Sequence, residues 1–134
     1  MDKRGQETVQ NFKGRSADKL TKIICIMFVY NETIIIEESS YVEWLEWMKT
    51  THIPAIMATG YFDSYKILNV VDSPNEGVTS CVQYYTATNE NFGKFYDEHF
   101  NKFQTIHQQR YENKFVLYNT LMEVIDEGNS ETKN

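Results

Sequence analysis

A chain of 134 residues, 41% hydrophobic and 14% aromatic, has the length and apolar content of one globular domain. Its net charge of −6 argues against a general nucleic-acid binder, which needs clustered Lys and Arg to meet phosphates. The longest apolar run, Ile23 to Tyr30, is too short to span a bilayer, and no small-residue cleavage site follows it. The chain therefore reads as cytoplasmic, with no membrane partner.

Residues 1–22 are polar, hold six basic and three acidic side chains, and show no apolar period. They read as a flexible basic lead ahead of an acidic body. Met27 stands at the head of the first strand signal and is a candidate start site. The domain proper is expected over 23–126, with a disordered polar tail over 127–134. Two cysteines, Cys25 and Cys81, lie in apolar runs outside any CxxC pair and read as free thiols.

From Ile23 or Met27 to Ile36 the chain is rich in Ile, Val, Tyr and Phe, the composition of a strand. Ser39 or Ser40 suits a helix cap, and Glu43 completes a capping box with Ser40. Tyr41, Trp44, Leu45, Trp47 and Met48 then recur at helical spacing. Pro54 disfavours the helical region for Ile53, so a break or kink is expected near His52-Ile53, with a short second piece over Ala55–Thr59 ending at Gly60. Tyr61 to Asp72 and Val78 to Ala87 read as a hairpin about the turn Ser73-Pro74-Asn75-Glu76-Gly77.

Asn89 can cap a second helix, whose stripe is Phe92, Phe95, Tyr96, His99, Phe100, Phe103, Ile106, His107 and Arg110. Lys114 to Ile125 reads as the last strand. Trp44, Trp47 and Met48 match Phe92, Phe95 and Tyr96 in spacing, a faint internal repeat of β-α-β halves. The expected fold is α+β and ferredoxin-like, βαββαβ, with two helices on one face of a four-stranded antiparallel sheet in the order 4-1-3-2. The third and fourth strands read as apolar on both faces, so the uncovered face should meet a second copy of the chain.

The stretch Trp44-Leu45-Glu46-Trp47-Met48-Lys49-Thr50-Thr51-His52-Ile53-Pro54, then Met57-Ala58-Thr59-Gly60, resembles an uncharacterised bacterial family known only as domain of unknown function 4286. Gln83-Tyr84-Tyr85, Glu98-His99, Asn113-Lys114-Phe115-Val116 and Thr120-Leu121-Met122-Glu123-Val124 extend the resemblance from Met27 to the region of Ile125. More distantly, His52-x-Pro54 followed by Gly60 is similar to a pattern in dimeric α/β-barrel proteins of the EthD and antibiotic-monooxygenase type. That resemblance implies a homodimer with a ligand cleft between sheet and helices. It leaves the chemistry open, because the superfamily holds cofactor-free oxygenases, isomerases, haem enzymes and proteins without known activity.

His52, placed at the helix break, is the candidate general base, with Tyr84 as an orienting hydroxyl. It could equally serve the end of the helix by bonding its last carbonyls. Trp44, Trp47, Tyr30, Tyr65, His99 and Tyr118 are candidate ligand-binding residues, although rings at these spacings also build cores. Glu32 breaks the apolar face of the first strand and, if buried, needs a partner such as Arg110 or a histidine. No HExxH, GxSxG, dinucleotide fingerprint or phosphate loop is present, so neither a metal nor a cofactor is expected. Three readings follow: a dimeric small-molecule binder, a cofactor-independent monooxygenase- or isomerase-like enzyme using His52, and a non-catalytic structural dimer.

Overall fold

The computed structural model describes residues 27–130. The lead over 1–22 and Cys25 lie outside the described residues, as does the end of the tail. The first strand, β1 (Phe28–Ile36), pairs antiparallel with β3 (Val78–Thr86) on one side and β4 (Phe115–Glu123) on the other. β2 (Ser64–Asn69) pairs with β3, giving the sheet order β2-β3-β1-β4. The ferredoxin-like order expected from the sequence is thus present, with a shorter second strand.

Among the described residues, two helical arms cover one face. The first runs through a 3-10 turn (Glu38–Ser40), α1 (Tyr41–Trp47), a π turn (Met48–His52) and α2 (Ile53–Met57). The second runs through α3 (Asn89–Phe95), a π turn (Tyr96–Phe100) and α4 (Asn101–Arg110). The internal repeat is therefore structural: a π turn begins at Met48 and at Tyr96, the matched positions of the two halves.

Of the break or kink expected at His52 and Ile53, the break does not occur. Both residues keep right-handed helical angles, and the Ile53 N–H bonds Met48 O, five residues back. The wide turn lets Pro54, which has no N–H to offer, enter without ending the helix. The capping box is also absent. Ser40 makes no cap bond, and its hydroxyl donates to Glu37, while Glu43 is taken up by Arg110 and Tyr111. On the second arm the cap is Thr88 rather than Asn89, its Oγ1 accepting from the Asn91 N–H at 3.0 Å.

The core lies between the sheet and the arms. Tyr30, Ile34, Ile36, Val82 and Tyr84 point into it from the sheet. Trp44, Trp47, Met48, Ile53 and Ile56 meet them from the first arm, and Phe95 and Phe103 from the second. On the second arm, Tyr96, Ile106 and Arg110 of the expected stripe face out. Four residues overshoot an α-helical turn and undershoot a π turn, so the π turn aligns Phe95, His99, Phe103 and His107 on one line.

The opposite sheet face is mixed, which corrects the expectation of apolar side chains on both faces of β3. Alternation puts Asn31 and Thr33 of β1, Thr79, Cys81, Gln83 and Tyr85 of β3, and Tyr118, Thr120 and Met122 of β4 on it. A polar chain crosses its middle: Tyr85 Oη donates to Gln83, Gln83 to Asn31, and Asn31 to Thr33. Exposed apolar side chains flank this chain: Leu68 on β2, and Val116, Tyr118 and Met122 on β4.

Gly77 closes the loop before β3 with φ +92°, and a Cβ there would lie 2.7 Å from Ile36 O. Glycine meets both demands at once. Among the described residues, no helix is long and apolar enough to cross a membrane.

Candidate functional site

The alternation of β1 that sends Tyr30, Ile34 and Ile36 into the core also sends Glu32 there, 3% exposed. A buried carboxyl needs donors or a proton. Its Oε2 accepts from Tyr30 Oη at 2.8 Å and from Gln104 Nε2 of α4 at 2.9 Å. Asn119, the partner of Glu32 across the β1–β4 ladder, donates from Nδ2 to Tyr30 Oη at 3.4 Å. Burial pushes the Glu32 carboxyl above the usual carboxylate range, against the pull of the Tyr30 and Gln104 hydrogen bonds. The same burial, together with the carboxylate beside it, pushes the Tyr30 phenol far above its ordinary value.

Arg110 is not the partner of Glu32. It pairs with Glu43 at 2.7 Å, and its guanidinium lies 5.1 Å from the Trp47 ring centre. The histidines do not reach Glu32 either: its donors are a phenol and an amide.

Gln104 and Asn119 also line a cleft of about 510 Å³ between α4 and β4. Thr105, Gln108 and Gln109 complete its helical wall, and Phe115 and Leu117 its strand wall. The buried carboxyl thus sits one side chain away from an open cleft between sheet and helix. A larger cleft of about 700 Å³ at the end of the sheet is lined by Glu37, Glu38, Glu76 and Lys114 among others, with no buried titratable group on its walls.

A second buried polar cluster joins the two arms. Trp44 Nε1 donates to His107 Nε2 at 3.0 Å. His52 stacks on Trp47 at 4.5 Å between ring centres, edges onto Phe103 at 5.7 Å, and lies 5.6 Å from His107. Nδ1 of both histidines is buried without a hydrogen-bond partner among the described residues. Burial lowers the His52 pKa to about 4 and that of His107 to about 3, the latter helped by the neighbouring His52. Both rings are neutral at pH 7, packed as aromatic faces in the seam between the arms.

The candidate residues therefore separate. Tyr84 is fully buried against Tyr30 and Phe62, its hydroxyl unpaired among the described residues, apart from the rings that enclose His52. Trp44 and Trp47 belong to the histidine seam. Tyr65 is half-exposed on β2. His99 is half-buried beside Tyr61, whose hydroxyl donates to Glu98. Tyr118 is 60% exposed on the far face of the sheet. Only Tyr30 joins the network beneath the α4–β4 cleft. Gln104 and Asn119 escaped sequence reasoning because a lone amide carries no motif; the signal within reach was Glu32, a charge in an inward strand position.

Among the described residues, no group of three His, Cys, Asp or Glu side chains could hold a metal ion.

A four-stranded antiparallel sheet in this order, with both helical arms on one face, defines an α+β protein of ferredoxin-like fold. Within that class, residues 27–125 match the sequence profile of Domain of unknown function (DUF4286), and the chain belongs to that family. Solved structures share the fold at low identity. An EthD-like protein from Ralstonia eutropha JMP134 is 13% identical, with a TM-score of 0.57 over 78% of this chain and 97% of that one. An EthD family protein from Bacillus halodurans C-125 is 14% identical, with a TM-score of 0.54 over 69% and 96%. A dimeric ferredoxin-like protein from an uncultured marine organism is 11% identical, with a TM-score of 0.54 over 77% and 98%. No curated protein matches this chain in sequence.

Proposed function

We propose that this protein is a homodimer that binds a small molecule in the cleft between α4 and β4. One observation carries the reading: Glu32, a carboxyl held in the core by Tyr30 and Gln104, lies directly behind that cleft. A buried ionisable group costs several kcal/mol unless it is neutralised or well bonded, on the order of the whole stability margin of a small domain. An apolar side chain would serve the fold better, and perturbed groups next to clefts mark binding sites more often than chance.

The dimer is supported by the exposed Leu68, Val116, Tyr118 and Met122 on the sheet face opposite the two arms, and by the fold it shares with a dimeric ferredoxin-like protein. The half-buried free thiol of Cys81 suits a reducing, cytoplasmic setting. An enzyme with His52 as base draws no support from the rings that enclose that residue.

Native mass spectrometry of the protein as purified from cells tests this reading. The expected spectrum holds a dimer carrying a non-covalent small-molecule mass that is lost on mild activation. A bare monomer at micromolar concentration would contradict it.

A further inference from the structure

We infer that the α4–β4 cleft takes an uncharged small molecule bearing an acceptor oxygen, such as a ketone, and offers it the hydrogen-bond donors of Glu32, Gln104 and Asn119. The inference rests on the binding reading above and names the ligand class for that same cleft.

The cleft walls select against charge. Its lining side chains are amides, a hydroxyl and two apolar groups: Gln104, Thr105, Gln108, Gln109, Asn119, Phe115 and Leu117. None is Lys, Arg, Asp or Glu, so a charged ligand would shed water with no countercharge on the walls. Amides instead both donate and accept, which suits neutral polar ligands. Phe115 and Leu117 give an apolar strip for the rest of the molecule.

When Glu32 carries a proton, the geometry sets which of its oxygens donates. Its Oε2 already accepts two hydrogen bonds, from Tyr30 and Gln104, whereas Oε1 accepts none among the described residues. A proton on this carboxyl therefore rests on Oε1, leaving an O–H in search of an acceptor. Burial favours that protonated form. The other titratable groups in this part of the core are Tyr30 on the same strand, Tyr84 on β3 and, beside Tyr84, Tyr65 on β2. Tyr30 and Tyr84 are held neutral by burial. α4 and β4 contribute only amides to the network. A ligand that accepts from Oε1–H loses affinity as Glu32 ionises.

The test follows the side-chain amide signals of Gln104 and Asn119 in proton–nitrogen correlation spectra of the full chain. Acetophenone, ethylbenzene and benzylammonium chloride are titrated in turn. Acetophenone should shift both amides saturably and bind about tenfold more tightly than either of the others, the scale of one good hydrogen bond. Its affinity should weaken as pH rises through the Glu32 titration, and Glu32→Gln should make it flat with pH. Glu32→Leu should weaken binding about tenfold, and Gln104→Ala, a milder change at the cleft wall, should weaken it as well. Tighter binding of benzylammonium at the same amides would overturn the ligand class while leaving the cleft a binding site. Saturable shifts from none of the three would overturn both. Equal acetophenone binding by the wild type and Glu32→Leu would remove Glu32 from the site.

Discussion

The Tyr30 hydroxyl and the Glu32 carboxyl, two residues apart on the inward face of β1, share a 2.8 Å hydrogen bond, and burial shifts both groups toward their protonated forms. The consequence for stability has a definite sign. The folded-state pKa of Glu32 is raised above its unfolded value, so the folded chain binds more protons in between. Its contribution is complete below the unfolded value and is lost as pH rises through the folded one. Urea midpoints of wild type and Glu32→Gln should therefore diverge with rising pH, the wild type losing ground. Parallel curves would contradict the assignment.

The histidine seam acts in the opposite direction. His52 and His107 are depressed from 6.5 to about 4 and about 3, so their contribution is complete above pH 6.5 and is lost as pH falls through those values. For His52 alone the loss is on the order of 3 kcal/mol. His52→Phe, which keeps a ring against Trp47 and Phe103, should flatten the acid limb of the stability curve. An unchanged acid midpoint would show that His52 charges freely in the folded state.

His107 also accepts from Trp44, so its loss should be felt at neutral pH. His107→Ala leaves the indole N–H without its acceptor and opens a void beside Phe115, 4.2 Å away between ring centres. A cost of about 2–4 kcal/mol in urea unfolding is expected.

Two glycines should respond in opposite ways. Gly77→Ala places a Cβ against Ile36 O at positive φ and should cost about 1–3 kcal/mol. Gly93, inside α3 with open space around its Cβ position, should gain about 0.5–1 kcal/mol on substitution by Ala. Thermal unfolding of the two variants side by side checks both signs.

The sheet face opposite the two arms should respond to charge. Tyr118→Glu, at a 60% exposed position on that face, should convert the proposed dimer to monomer in sedimentation velocity without changing the far-ultraviolet circular dichroism. A dimer that survives the change would place the interface elsewhere.

Strand order was legible because β-branched runs, a proline-glycine turn and two aromatic stripes punctuate the chain at separated places. The helix interiors were harder. Pro54 reads as a break in sequence, and only the five-residue hydrogen bond from Ile53 to Met48 reveals that the helix widens instead. Tyr96 and Ile106 fit the helical period yet face solvent, because the second π turn rephases the stripe after Phe95. His52 drew attention through its neighbour Pro54, but its burial depends on Phe103 and His107, far away in sequence. Glu32 was visible as an anomaly in β1, whereas Gln104 and Asn119, distant in sequence, meet it only once α4 and β4 are packed.

Carbon-13 NMR of the Glu32 side-chain carboxyl across pH is the most direct test of the account. A carboxyl buried behind the cleft and bonded by Tyr30 and Gln104 should titrate clearly above the ordinary value of 4.5. A midpoint at or below 4.5 would mean a solvated or ion-paired carboxylate, and the site built around it would not stand.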